Sequence, residues 1–300
     1  MDVNNEISHF KELGYSFDDN LYVALTLSLI SKRHLLLESK DNTSSIKELQ
    51  LIINNIWEIQ PIIINFEQRT YEKDELFGLF LNEEDYFLAP IYIINGIDGL
   101  PHSSQSLLLE FMKRKSISLN DKEFRCNEIF TIIGLFSNQN NILSFLRNEF
   151  WFKQFHIPIE QPNPIMTTKY SLNKVRHFAK LNKDLNDITI LPELKRYIYD
   201  IVIFVRNHRV VDTGLPTVYL AELELMSRAL CVIFNREFVI PTIVKLSARK
   251  LIPLHLTLIN YKDEPSLQWG GDIEIAKELM KRMTPEIVIE DVLRKVDPPL

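Results

Sequence analysis

Serine, lysine and histidine are the residues whose spacing first suggests chemistry in this chain. Ser44-Ser45-Ile46-Lys47 and Ser171-Leu172-Asn173-Lys174 both read S-x-x-K, a pattern that penicillin-recognising enzymes use to set a lysine beside a nucleophilic serine. Two matches without companion motifs show how cheap the pattern is. No G-x-S-x-G occurs, so the strained elbow that presents a hydrolase serine is missing. The seven histidines, at 9, 34, 102, 156, 177, 208 and 255, form neither H-E-x-x-H nor an H-x3–5-H pair, and a zinc site needs ligands that converge in such a way. His34 and His156 lie in apolar runs and read as packed, hydrogen-bonded side chains. Cys126 and Cys231 fit neither a disulfide framework nor a metal spacing. The residues thus offer no catalytic group, no metal site and no cofactor.

Two further patterns concern helix ends. Ser45-Ile46-Lys47-Glu48 matches the capping box S/T-x-x-E: the Ser45 hydroxyl accepts from orphan helix N–H groups while Glu48 reaches back to the Ser45 N–H. Basic clusters stand at Lys32–His34, Lys113–Lys115, Arg206–Arg209 and Lys245–Lys250. Cations favour helix C-termini, and phosphate contact is the alternative use of such clusters. Arg206 and Arg209 are the pair singled out as a candidate interaction surface.

The elements that must carry these residues change along the chain. His34–Glu38, Ile62–Phe66, Ile91–Ile94, Phe130–Phe136 and Phe155–Ile159 are short, apolar runs suited to strands buried on both faces. Helix-length stretches separate them at Asn20–Ser31, Ile46–Glu58, Ser103–Lys115 and Asn140–Trp151. Strands alternating with helices imply a parallel sheet covered on both sides. Beyond about Pro164 the pattern is helical only: Leu172–Leu181, Leu194–Asn207, Thr217–Phe234, Pro241–Leu251, Ile273–Met283 and Pro285–Val296. Pro241 and Pro285 sit at first-turn positions, where a missing N–H costs nothing. Glu160–Pro164 (EQPNP) reads as the boundary, giving an α/β core over 1–162 and a helical domain over 163–300.

Length and composition set the outer limits. The 300 residues are 46% apolar and 25% charged, an ordinary globular mix. Eight glycines are few, and none falls between Gly14 and Gly78, which restricts any phosphate loop in the first third. Net charge is −6, against a broad basic face for nucleic acid. No apolar stretch approaches the ~20 residues of a bilayer span, and the first residues lack a basic, then apolar leader. The sequence predicts a soluble, intracellular protein with no membrane contact; nucleus and cytoplasm stay open.

Three segments carry a family resemblance. Residues 91–115, IYIINGIDGLPHSSQSLLLEFMKRK, resemble the Walker B strand and following helix of the MoxR-like branch of the AAA+ ATPases, and Phe130–Asn138 is similar to its sensor-1 strand. Residues 228–241, RALCVIFNREFVIP, resemble the lid helix. MTPEIVIEDVLRKVDPPL resembles the end of the lid, HLLLES at 34–39 the strand entering the Walker A loop, and DELFG at 74–78 the family's Asp-Leu-Leu-Gly. The resemblance implies an AAA+ (P-loop NTPase-like) five-stranded parallel sheet of order 5-1-4-3-2 with flanking helices, followed by an all-helical lid.

At the family's catalytic positions the residues differ. A Walker A loop needs glycines so that N–H groups can wrap phosphates, a lysine for the β and γ oxygens, and a hydroxyl for Mg²⁺. Ser39 and Ser44 fall on the glycines, Ser45 on the lysine and Ile46 on the hydroxyl. Walker B ends in Asn95-Gly96 instead of two carboxylates, with Asp98 two to three residues on. The sensor asparagine falls on Ser137, next to Asn138. The arginine-finger position falls on Glu149, near Arg147, and the lid arginine on Val218. Trp151 and Phe152 follow that finger segment and read as core or as a partner surface. With its motifs erased, the chain is similar to the fungal maintenance of telomere capping protein 2 family. The resemblance implies a pseudo-ATPase scaffold that binds a protein partner. A nucleic-acid-binding accessory factor at chromosome ends and a divergent ATPase completed by a partner are the alternatives.

Overall fold

The structure, a computed structural model, describes residues 3–81, 88–119, 122–127, 129–138, 141–159 and 172–299. The boundary expected at Glu160–Pro164 lies outside the described residues, as does Ser171 of the second S-x-x-K match. The chain forms two compact units, Met1–Asp184 and Leu185–Leu300.

The first unit is built on a parallel sheet. Its strands are β1 (His34–Ser39), β2 (Ile62–Asn65), β3 (Ile91–Asn95), β6 (Thr131–Phe136) and β7 (Phe150–His156), with a separate antiparallel hairpin of β4 (Ser116–Leu119) and β5 (Lys122–Arg125). The spatial order is β2-β3-β6-β1-β7, and every pair in the five-stranded sheet is parallel. In chain order of these five strands that is 2-3-4-1-5, the arrangement expected from the resemblance. The central strands are buried on both faces: every residue of β6, and Leu35, Leu36 and Leu37 of β1, are buried. Such continuous apolar runs suit a sheet with helices on both sides.

The helices of this unit are α1 (Val3–Glu12), α2 (Asp19–Ser31), α3 (Asn42–Gln50), α4 (Lys73–Gly78), α5 (His102–Arg114), α6 (Ser144–Arg147) and α7 (Leu172–Asp184). After α3 the chain widens into a π-helical stretch, Leu51–Ile56, that buries Leu51, Ile52, Ile53 and Ile56. Phe80, Tyr92, Phe111 and Phe130 form an aromatic cluster, Phe80 and Phe111 having centroids 4.5 Å apart. Two expectations are corrected here. The last strand lies at Phe150–His156, five residues before the run expected at Phe155–Ile159. The helix expected over Asn140–Trp151 shrinks to the single turn of α6. Phe150, Trp151 and Phe152 bury their rings here, and β7 pairs with β1 from the His34–Phe150 step onward. Packing against the sheet outweighs the local helical pattern.

The second unit is helical: α8 (Pro192–Arg206), α9 (Val218–Ile233), α10 (Pro241–His255), α11 (Ile273–Arg282) and α12 (Pro285–Lys295). Pro192, Pro241 and Pro285 open their helices, as the first-turn reading requires. Helix α10 packs on α9 and α12. Ser227 and Ser247 join α9 to α10 through hydroxyls 3.0 Å apart: one donates to the other, which donates to a carbonyl one turn back in its own helix. No described helix is long and apolar enough to cross a membrane.

Candidate functional site: the phosphate-loop position

Between β1 and α3 only Lys40 and Asp41 intervene, where a Walker A loop would wrap phosphate. Asp41 caps α3. Its Oδ1 accepts from the N–H of Thr43 (3.0 Å) and of Ser44 (3.3 Å), and the hydroxyls of Thr43 and Ser44 also donate to its carboxylate. These bonds, the Ser44 hydroxyl first, hold the Asp41 carboxyl down at about 2. A charged carboxylate thus occupies the positive end of the helix dipole.

This corrects the expected capping box. Ser45 is not the cap: it lies inside the first turn, fully buried, with its Oγ 2.7 Å from Ser39 Oγ. Ser39 Oγ in turn donates to the Asp41 carbonyl at 3.1 Å, so the Ser45 hydroxyl is the donor of the pair. The loop is closed on itself by two serines standing at a glycine and the lysine position of a Walker A motif. Ile46, at the Mg²⁺-hydroxyl position, follows directly in the helix.

Glu48, the other half of the expected box, does not reach back to Ser45. Its carboxylate is 1% exposed and accepts from Asp18 N–H at 2.7 Å, Ile159 N–H at 3.2 Å and His156 Nε2 at 3.0 Å. The second His156 nitrogen, Nδ1, lies 3.4 Å from Asp18 Oδ2. Burial pulls the His156 proton off, but the two carboxylates outweigh it and raise the imidazole to about 9. His156 is a buried cation at neutral pH, donating from both nitrogens. Asp18 is held below its usual range, first by that hydrogen bond, and also caps α2 through Asn20 N–H. The three residues lie 30 to 138 positions apart, so no local spacing could reveal the cluster. Only the reading of His156 as a packed, hydrogen-bonded residue pointed toward it.

At the Walker B position, Asn95 ends β3 and Gly96 takes a left-handed turn (φ +77°). Asn95 Oδ1 accepts from Asn42 Nδ2 at 2.9 Å, and Asn95 Nδ2 donates to Asn65 Oδ1 at 3.1 Å. Three neutral amides therefore link α3, β3 and β2 across the place where a metal would sit. Asn42 Oδ1 finds no partner among the described residues. Asp98 points elsewhere: its Oδ2 accepts from the N–H groups of Ser137 and Asn138, fastening the end of the sensor-1 strand.

The other singled-out residues are dispersed. Glu149 pairs with Lys113, and Arg147 has a buried Nε without a partner among the described residues. Val218 opens α9, exposed. Trp151 and Phe152 are corrected: at 3% and 0% exposure they are core of the sheet, because β7 pairs with β1 there, and offer no partner surface. Arg206 Nε donates to the Leu215 carbonyl at 2.6 Å. Arg209 pairs with the buried carboxylate of Glu264. Both guanidinium groups thus serve internal acceptors.

A magnesium nucleotide, which the fold implies, does not fit these residues. The metal position has amides where carboxylates are needed, the lysine position holds a buried hydroxyl, and the helix terminus already carries an anion.

No family model matches the chain. The crystal structure of a candidate ATPase from Cytophaga hutchinsonii superposes with a TM-score of 0.77 and 17% identity, covering 99% of this chain and 96% of that one. The chain shares that structure's fold, a five-stranded parallel sheet with flanking helices followed by a helical region. Among curated proteins the chain is similar to Maintenance of telomere capping protein 2 of Candida glabrata, 28% identical over 140 residues, which is 39% of this chain and 33% of the relative. It is likewise 28% identical over 138 residues to the protein of that name from Saccharomyces cerevisiae, 39% of either chain. The protein of that name from Lachancea thermotolerans matches at 24% over 218 residues, 69% of this chain and 73% of the relative. The chain thus matches only a third to two fifths of the length of the first two relatives.

Proposed function

We propose that this chain is a non-catalytic AAA+-like scaffold: an ATPase architecture that holds a protein partner without gripping or splitting nucleotide. One observation carries the reading, the self-closed phosphate loop in which Ser39 and Ser45 bond each other beneath the Asp41 cap. A triphosphate entering here would have to displace the cap and approach its carboxylate. Two like charges at 4 Å repel by about 4 kcal/mol at the effective dielectric of a protein surface. It would gain neither a lysine nor a metal carboxylate in return. Losing arginine fingers as well removes groups each worth about 10³–10⁵ in rate. The relatives' name, Maintenance of telomere capping protein 2, links the proposed role to telomere capping.

Isothermal titration of the full chain with Mg-ATP tests this. The expected result is no heat of binding up to millimolar nucleotide and no phosphate release above buffer. Micromolar binding would overturn the reading and favour an ATPase completed by a partner.

A further inference from the structure

Helix α11 is the least embedded long element of the second unit. Of its ten residues only Ala276 is buried, and it packs mainly on two short 3-10 turns, Tyr261–Asp263 and Pro265–Trp269. A ten-residue helix has little stability alone in water. Yet it turns apolar side chains outward: Ile275 is 66% exposed and Leu279 38%, with Trp269 nearby in sequence at 88%. Solvated helices normally turn charge to water and apolar residues inward.

The stripe has a second property. Asp272, Ile275, Leu279 and Arg282 recur at spacings of three, four and three, which places them along one side of the helix, as in the seam of a coiled coil. Read in reverse, the order is basic, apolar, apolar, acidic. An antiparallel copy therefore meets it with Ile275 against Leu279 and Asp272 against Arg282, both pairs summing to the same register. The helix dipoles oppose, so Arg282 at each C-terminus meets the acidic N-terminal turn of the other, where Glu274 adds a second carboxylate. Arg282 at present bonds Glu278 one turn back, an exposed pair of the kind that contributes little and is free to exchange.

The geometry points to a second copy of this chain as the occupant of this face: α11 pairs antiparallel with α11 of another molecule about a two-fold axis. Such an isologous contact closes on itself and yields a dimer, not a ring or filament. A seam of two apolar residues and an ion pair at each end is small beside the ~800 Å² per partner of a standard interface, so the dimer is a weak one. A lid helix presented in this way would let one scaffold body display two partner-binding faces.

Sedimentation velocity of the full chain across low to high micromolar concentration is the test. A concentration-dependent monomer–dimer equilibrium is expected, weakening with added salt because its end pairs are exposed. Ile275→Asp with Leu279→Asp should raise the dissociation constant at least tenfold. Circular dichroism and melting should stay unchanged, since neither side chain is buried. Arg282→Glu should weaken dimerisation, because it sets a carboxylate against the partner's Asp272 in each copy. A single monomeric species at the highest concentration overturns the inference. So does a dimer indifferent to the Ile275 and Leu279 changes.

Discussion

Replacing His156 should expose how strongly the buried cluster holds the first unit together. His156→Gln keeps one donor but removes the cation between Asp18 and Glu48. The imidazole is raised from 6.5 to about 9, which corresponds to about 3 kcal/mol, and nearer 2 once partial solvent screening is allowed for. Breaking a buried pair by removing one partner typically costs ~3–5 kcal/mol; the two figures bracket an expected loss of about 2–4 kcal/mol at pH 7. The sign in pH follows from the raised value. A histidine whose folded pKa lies above its unfolded one stabilises fully below pH 6.5, and this stabilisation fades as pH rises through about 9. The wild-type minus His156→Gln difference in unfolding free energy should therefore be largest near pH 6 and shrink by pH 10. Urea titrations followed by tryptophan fluorescence in a Trp269→Phe background read this out. Trp57 and Trp151, both 3% exposed, then report on the first unit alone. A difference that is small at pH 7, or flat from pH 6 to 10, would refute the reasoning.

Two further outcomes follow from neighbouring residues. His34 is fully buried, and burial drives its pKa down to about 3; its Nδ1 accepts from Ile132 N–H at 3.0 Å. The stability it preserves is present above pH 6.5 and is lost as pH falls toward 3, by about 5 kcal/mol at most. His34→Gln, which keeps an acceptor but does not titrate, should flatten that part of an acid-unfolding curve. Asn95→Asp restores a Walker B carboxylate, yet it sets an acceptor against Asn65 Oδ1 in place of a donor. Stability should drop by about 1 kcal/mol, and an assay for phosphate release should stay at background.

The sheet was legible because its strands are apolar runs, such as Leu35–Leu37 and Ile91–Ile94, between helix-length stretches. Their order came from the resemblance. Strand β7 was not legible, because Phe150, Trp151 and Phe152 are aromatic and follow a helical Leu-Arg-Asn-Glu pattern; burial against β1 decides their conformation. The cap was misplaced by four residues. Ser45 and Asp41 are both good caps by type, and the choice depends on Ser39, which offers Ser45 Oγ a buried partner. The Asp18–Glu48–His156 cluster needed the third dimension. Glu48 looks like a helix-surface glutamate until α3 is packed beside the ends of β1 and β7.

On the proposed reading, serines and asparagines standing where a loop lysine and metal-binding carboxylates would be have a consequence for the resting body itself. A loop lysine and two metal-binding carboxylates are charges whose natural counter-charges are phosphate and magnesium. Without those ligands they would stand partly desolvated and unpaired, and a buried charge that lacks its partner is strongly destabilising. Serine and asparagine at the same positions are neutral and satisfy one another: Ser39 with Ser45, and Asn42 with Asn95 with Asn65. Of these five side chains, Asn42 alone keeps a buried atom, its Oδ1, with no partner among the described residues. The one carboxylate that remains buried here, Glu48, has an internal cation in His156. In this chain the ligand-free arrangement therefore already satisfies its charges, and nucleotide has no deficit to fill. Seating a lysine at Ser45 without glycines at Ser39 and Ser44 should accordingly lower stability and still leave titration with Mg-ATP silent, since the wrapping backbone would remain absent.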